Sequence, residues 1–274
     1  MTQPPTPLAF DAQLQQLRLA GSPYVLATVV RTVAVTAAKA GAKAIIEADG
    51  KILGGWIGGG CARGAVLRAA RQALVDGRPR LVSIQPEDVL KDLGVTGGEA
   101  RAGVTYAVNM CPSQGTMDIF IEPNLPRPEL VIMGATPVAV ALAALATSFA
   151  FAVRIAAPGA ERGLFREDVI FSEGYTLDPS NAERYIVVAT QGAGDLAALG
   201  AALAHPARGV AFVGSRRKAA SLRTQLAGKI SEDRLDALKA PAGLDIGAIT
   251  PEEIALSILA ELIAWRRQPQ RAGG

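Results

Sequence analysis

The second half of the chain alternates short, apolar, β-rich runs with helical patterns, and this alternation limits the fold more than any other feature. Leu130–Met133, Ala152–Ala156, Tyr185–Thr190 and Val210–Val213 read as strands. Helical patterns lie between them, so consecutive strands run the same way and need crossovers. The order predicts a parallel sheet with helices on both faces, a Rossmann-like domain. Leu130 to Val153 carries no charge and is long enough to span a bilayer. It also contains Gly134 and Pro137 and divides into a strand, a turn, a helix over Val138–Ser148 and the start of the next strand. A buried strand–turn–helix is therefore expected rather than a membrane span. The last helix, Pro251–Arg267, announces its own start. Thr250 stands at the N-cap, Pro251 in the first turn, and Glu253 completes a capping box.

At 274 residues the chain exceeds the usual single domain. The proline-rich run EPNLPRPE, Glu122–Glu129, marks a stiff connector. Two domains are expected, 1–123 and 129–274, the first also α/β. A helix is expected near Phe10–Leu19, then strands over Tyr24–Arg31 and Lys43–Ala48. Asp49-Gly50 is a hairpin turn signal, and Lys51–Trp56 is the return strand. A helix follows from Ala62 to about Val75, with Val66, Leu67, Ala70 and Leu74 at helical spacing. Arg80–Ile84 and Thr116–Glu122 complete the predicted strands of this half.

Net charge is only +3 and no Lys/Arg-rich block occurs, so nucleic-acid binding finds no support. The N-terminus lacks a basic segment followed by an apolar one, and a cytoplasmic location is expected. Two cysteines, Cys61 and Cys111, form no C-x-x-C pair. A structural zinc site is not expected, and a disulfide between them does not suit a cytosolic chain. The single histidine, His205, precedes Pro206 and reads as an exposed loop residue. A Ser-His-Asp triad has nothing else to build on.

Three stretches stand out as candidate sites. Gly58-Gly59-Gly60-Cys61 leads straight into a helix. Bare amides and a helix N-terminus suit an anion, and the same field favours a thiolate. Cys61 is thus a candidate ligand of a metal-oxo group or a sulfur acceptor, with Arg63 and Arg68 adding positive charge where they face the loop. A tight turn with a small buried cysteine fits the glycines equally well. Asn109-Met110-Cys111-Pro112-Ser113-Gln114-Gly115 is a polar turn carrying the second cysteine, with Ser113 and Gln114 able to donate or accept hydrogen bonds. Gly134-Ala135-Thr136-Pro137-Val138-Ala139 sits where a dinucleotide-binding G-x-G-x-x-G would, but only the first glycine survives. The next strand ends in Ala156-Ala157-Pro158, with no acid for a ribose hydroxyl, so ordinary NAD(P) binding is disfavoured. Ser215-Arg216-Arg217-Lys218 is a basic turn after another strand, either a phosphate site or a solvated helix start.

Together these pieces resemble the XdhC/CoxI family, accessory proteins that mature molybdenum hydroxylases such as xanthine dehydrogenase and aerobic carbon monoxide dehydrogenase. The resemblance rests on ATVVRT (Ala27–Thr32), GAK (Gly41–Lys43), GGGCARGAV (Gly58–Val66), FVGSRRK (Phe212–Lys218) and APAGLDIGAITPEEIALSILAE (Ala240–Glu261). NMCPSQGTMDIFIEP (Asn109–Pro123) looks like the carbon monoxide dehydrogenase-type branch. Two departures stand out. The family often has Cys-Val-Glu after the glycines, whereas here it is Cys61-Ala62-Arg63. Its usual G-A-G-H is Gly134-Ala135-Thr136-Pro137 here. Both remove groups able to move protons, which suits a carrier better than an enzyme.

The resemblance implies a protein that binds the molybdenum cofactor as cargo, as molybdopterin or its cytosine dinucleotide form. It would protect the cofactor while a terminal sulfur is installed and deliver it to the large subunit of the hydroxylase. It implies that Gly58, Gly59, Gly60, Cys61, Cys111, Ser113 and Gln114 surround the metal end, with Cys61 and Cys111 as candidate metal or sulfur ligands and Arg31 and Lys43 supplying charge. Gly134, Arg216, Arg217 and Lys218 would hold the nucleotide or phosphate end. A cysteine desulfurase or other sulfur donor is the implied second partner, and a homodimer the implied assembly. The competing readings are a nucleotide-dependent oxidoreductase on the Rossmann-like half, a non-catalytic maturation scaffold, and copper handling by the same residues.

Overall fold

A computed structural model describes residues 7–112, 114–159 and 162–271. The chain divides into two compact units, residues 1–126 and 127–274.

In the first unit, α1 (Pro7–Leu19) precedes β1 (Tyr24–Val33), β2 (Lys43–Glu47) and β3 (Ile52–Gly55). The β2–β3 hairpin turns at Asp49-Gly50 as the dipeptide predicts. Asp49 Oδ1 accepts from Lys51 N at 2.8 Å, and Gly50 N donates to Glu47 O at 2.9 Å. Next come α2 (Gly60–Asp76), β4 (Arg80–Gln85), α3 (Glu87–Asp92), β5 (Ala100–Arg101), β6 (Val104–Val108) and β7 (Thr116–Asn124). The strands form one seven-stranded sheet in the order β3-β2-β1-β7-β4-β6-β5. Helix α2 buries a row of small residues on it, Ala62, Ala65, Val66, Ala69, Ala70 and Ala73, at the spacing of one helical face. The opposing sheet residues include Val25, Ala27, Val29, Val82, Ile119 and Ile121.

Pairing directions in this sheet place the loops. β1 and β4 run antiparallel to β7, β6 runs parallel to β4, and β3 shares the direction of β1. The ends of β1, β3, β4 and β6 and the start of β7 therefore meet at one edge of the sheet.

The second unit contains β8 (Glu129–Met133), α4 (Pro137–Thr147), β9 (Ala152–Ala156), β10 (Ile170–Ser172), β11 (Arg184–Val188), α5 (Asp195–Ala204), β12 (Gly209–Phe212), α6 (Arg216–Leu226), α7 (Glu232–Asp236) and α8 (Pro251–Arg271). Its five strands are all parallel, in the order β10-β9-β8-β11-β12. One core packs α4 and α8 on one face, through Leu142, Ala146, Ile258 and Leu262. The other packs α5 and α6 on the opposite face, through Leu199, Leu203, Leu222 and Leu226. This is the Rossmann-like layering that the strand–helix alternation predicts, and the strand order reverses between β8 and β11. The uncharged run from Leu130 is β8, α4 and β9. Among the described residues no helix is long and apolar enough to cross a membrane.

Both ends of the EPNLPRPE connector belong to strands, since β7 runs through Asn124 and β8 begins at Glu129. The capping box at α8 forms in both directions. Glu253 N donates to Thr250 Oγ1 at 3.3 Å, and Glu253 Oε2 accepts from Thr250 N at 3.0 Å.

Candidate functional site

The glycine stretch does not act as a unit. Gly58 is buried at φ +113°, where a side chain would press on Met117 and Ala62. Gly59 and Gly60 are exposed, with open space where a Cβ would stand. The helix after them starts two residues earlier than the periodicity predicts. Gly59 is the N-cap and makes no side-chain hydrogen bond, and Gly60 is the first residue of α2. The first intrahelical bond runs from Arg63 N to Gly59 O. The amides of Gly60, Cys61 and Ala62 therefore have no acceptor within the helix and point out of its N-terminus. Cys61 sits inside this first turn rather than ahead of it. Its side chain lies outside the described residues.

The turn after β6 approaches the same place. Asn109 builds it: Asn109 Nδ2 donates to Gly115 O at 2.6 Å, and Cys111 N donates to Asn109 Oδ1 at 3.0 Å. Its own N–H donates to Gln85 O at 2.6 Å, which fastens the turn to the end of β4. Gln114 closes the turn at φ +46° and bridges Val35. Cys111 is exposed, and Ser113 lies outside the described residues.

Between these segments lies a cavity of about 220 Å³, lined by Thr36, Gly59, Gly60, Asn109, Cys111 and Met117 among others. Its walls come from the five strand ends that meet at this edge. Two open clefts adjoin it. One, of about 570 Å³, shares Asn109 and Cys111 with it and reaches Gln114 and the first residues of α3, Glu87 and Asp88. The other, of about 640 Å³, shares Gly60 and reaches Gly64, Arg68 and Met110. Trp56 Nε1 donates to Ala37 O at 3.3 Å and joins the loop before the glycines to the loop after β1.

Gly59, Gly60 and Cys111 thus share one cavity, with Gln114 in the adjoining cleft. Gly58, Arg31 and Lys43 do not line it. Arg31 Nε instead pairs with Asp118 Oδ2 at 2.9 Å. Arg68 faces a cleft, whereas Arg63 lines none of the three. Among the described residues no group of three or more His, Cys, Asp or Glu is placed to hold a metal ion.

In the second unit, the edge at the carboxyl ends of the strands is occupied by the chain's own groups. Gly134, at φ +125°, passes so close to β11 that a Cβ would lie 2.3 Å from Ala189 O. Thr136 fills the place of the second fingerprint glycine. Its hydroxyl accepts from Ala139 N at 3.3 Å and donates to Ala189 O at 3.0 Å, so it caps α4 and ties it to the neighbouring strand. Ser215 caps α6 in the same way, accepting from Lys218 N at 3.2 Å. Arg216 and Arg217 are exposed.

The sequence reading missed Thr190 and Asp195. Asp195, the first residue of α5, is buried. It accepts from Thr190 Oγ1 and from Gly192 N and pairs with Lys218 Nζ. Burial pushes its carboxyl up, but the hydrogen bonds from Lys218, Thr190 and Gly192 outweigh that and hold it below the usual carboxylate range. The signal available was an acid at the start of a predicted helix, just after a glycine-rich turn. His205 follows α5 and leads into β12, which places it at the opposite edge of the sheet. Burial, then Arg184 and Arg234, lower its pKa.

A family model described as the XdhC and CoxI family matches residues 17–85, and one described as the XdhC Rossmann domain matches residues 130–262. The chain belongs to the XdhC and CoxI family. It is similar to a protein of Escherichia coli strain K12 described as uncharacterized protein YqeB, with 31% identity over 235 residues. The match takes in 80% of this chain and 39% of that protein, so the chain spans about two fifths of its relative's length. Among solved structures, it is similar to a protein of Bacillus halodurans described as a xanthine dehydrogenase. Identity is 19% and the TM-score 0.46, with 96% of this chain and 97% of that chain covered.

Proposed function

We propose that this protein is a carrier that binds the molybdenum cofactor, shelters it during sulfuration and hands it to a molybdenum hydroxylase. The observation that carries this reading is the cavity joining the uncapped N-terminus of α2 to the Cys111 turn. Free amides at a helix N-terminus favour an oxygen-rich anion. Asn109 and its turn add polar groups on the opposite wall, with an exposed cysteine among them. At about 220 Å³ the cavity is smaller than the pockets of roughly 300–1,000 Å³ that enclose whole ligands. It suits the metal-oxo head, with the pterin lying in an adjoining cleft. Cys61 and Cys111 are the proposed sulfur or metal ligands, and Ser113 and Gln114 are proposed as further contacts. Arg31 and Lys43 act only through their field. The Rossmann-like unit would take the phosphate or nucleotide end at Arg216 and Arg217.

Family membership supports a role in maturation of molybdenum hydroxylases. The large subunit of such an enzyme, of the carbon monoxide dehydrogenase or xanthine dehydrogenase type, is the proposed recipient. A cysteine desulfurase or similar donor would supply sulfur, and the proposed form is a cytoplasmic homodimer. A nucleotide-dependent oxidoreductase is the weaker reading, because Thr136 takes the amide that a pyrophosphate would otherwise use at α4.

The test is equilibrium binding of isolated molybdenum cofactor to the purified chain, beside Cys61→Ala and Cys111→Ala. Tight binding by the wild type, weakened at least about tenfold in one variant, is expected, the worth of one charge-assisted contact. No binding by a folded wild-type chain refutes the carrier.

A further inference from the structure

In the Rossmann-like unit, the donors around Asp195 are of three kinds. They are the N–H of Gly192 at 2.8 Å, the Thr190 hydroxyl and the Lys218 ammonium. A glycine-turn amide, a hydroxyl and a lysine are what a phosphate-binding loop offers its ligand. Here they converge on a carboxylate of the chain itself. The geometry is one-sided: the Asp195 side chain is only 6% exposed, whereas that of Lys218 is 42% exposed. An anion arriving from solvent meets the open side of Lys218, next to the exposed Arg216 and Arg217, and must draw the ammonium away from Asp195.

We infer that Asp195 is an internal competitor for Lys218, a built-in anion that keeps this edge of the sheet from gripping phosphate tightly. The inference rests on the reading above that this unit takes the phosphate end of the cargo, and it adds how that end is released. Lys218 then leaves the set of residues that hold phosphate in the resting protein, and Arg216 and Arg217 remain. A carrier gains from such an arrangement, because cargo bound through a contested lysine costs less to give up than cargo bound through a free one.

The experiment is calorimetric titration of inorganic pyrophosphate into the full chain. Asp195→Asn keeps the shape of the side chain and removes its charge. It is expected to bind pyrophosphate about tenfold tighter than the wild type, one charge-assisted hydrogen bond's worth. Lys218→Met combined with Asp195→Asn is expected to abolish the gain, because the lysine that Asp195→Asn frees is then missing. Thr190→Val loosens the carboxylate without touching either charge, and a gain of about threefold is expected. It serves as the second probe if Asp195→Asn melts too low to titrate. Asp195→Asn or Thr190→Val binding no tighter than the wild type overturns the inference, and so does a gain that survives when Lys218→Met is combined with Asp195→Asn. Cofactor binding tested through Cys61 and Cys111 reports separately. If the isolated cofactor does not bind but the pyrophosphate gain appears, the carrier reading fails and the competition stands. Cofactor binding without that gain removes the competition alone.

Discussion

The two units treat the same physical opportunity in opposite ways. Each brings helix N-termini to one edge of a sheet, where unmatched amides collect. In the first unit the N-cap of α2 is Gly59, which contributes no side-chain bond, and space lies open above it. In the second unit Thr136 caps α4, Ser215 caps α6, and Asp195 holds Lys218. The lesson is that a fold alone does not locate a site. The Rossmann-like unit has the familiar architecture and a self-satisfied edge, whereas the mixed sheet has the open amides.

Glycine substitutions probe this contrast most sharply. Gly134→Ala puts a Cβ against Ala189 O at a positive φ, and a loss of about 2–4 kcal/mol in unfolding free energy is expected from denaturant titration. Retention of full stability would mean that β8 and β11 are not held as closely as described. Thr136→Ala removes the α4 cap and its tie to Ala189, and should cost about 1–2 kcal/mol by the same measurement. If it also creates pyrophosphate binding, the self-capping view of that edge is sharpened further.

Acid should expose a further difference. The folded Asp195 carboxyl lies below its unfolded value, so the stabilisation it brings is fully present above about pH 4. It is lost as pH falls through the lower native value. Melting curves recorded downward from pH 5 should show Asp195→Asn losing less stability than the wild type across that interval. Equal losses would show that the carboxylate is not held as its three donors suggest.

The smallest expected change in stability is at Gly59→Ala, a loss of about 0.5–1 kcal/mol, because alanine is a poorer N-cap than glycine although φ is −86° there and the space is open. The same substitution narrows the cavity and should weaken cofactor binding. A variant that stays folded with so small a loss yet binds less separates the open edge from the closed one.

Much of the fold was legible because its signals are local. Asp49-Gly50, Thr250 with Glu253, and the apolar runs of the parallel sheet each carry their meaning within a few residues. What was not legible was non-local or masked by glycine. Strand β6, Val104–Val108, pairs along its length only with the distant β4, since its sequence neighbour β5 contributes just two residues. Helix α3 has only six residues, too few to show a period. The helical pattern read from the sequence starts at Ala62, yet Gly60, a poor helix former, is already helical. At the candidate site, the glycines and the cysteine turn could each be noticed alone. Their meeting in one cavity depends on strand order, which no short motif encodes. Asn109 carries no recognisable motif in the turn, although it braces both sides of it. Asp195 has two local partners, Thr190 and Gly192, but its charged partner Lys218 lies on the following helix, which no local motif reveals.

The convergence of five strand ends at one edge of the first unit has a consequence for how such a protein can change. The sheet is held by residues such as Val25, Ile119 and Ile121, buried well away from that rim. The rim is made of separate connecting segments, each anchored by its own strand. Replacing one segment leaves the sheet intact but breaks the bonds that tie it to its neighbours, such as Trp56 to Ala37 and Gln114 to Val35. The proposed site can therefore be reshaped by exchanging a rim segment together with the neighbours it bonds, without renegotiating the architecture beneath them.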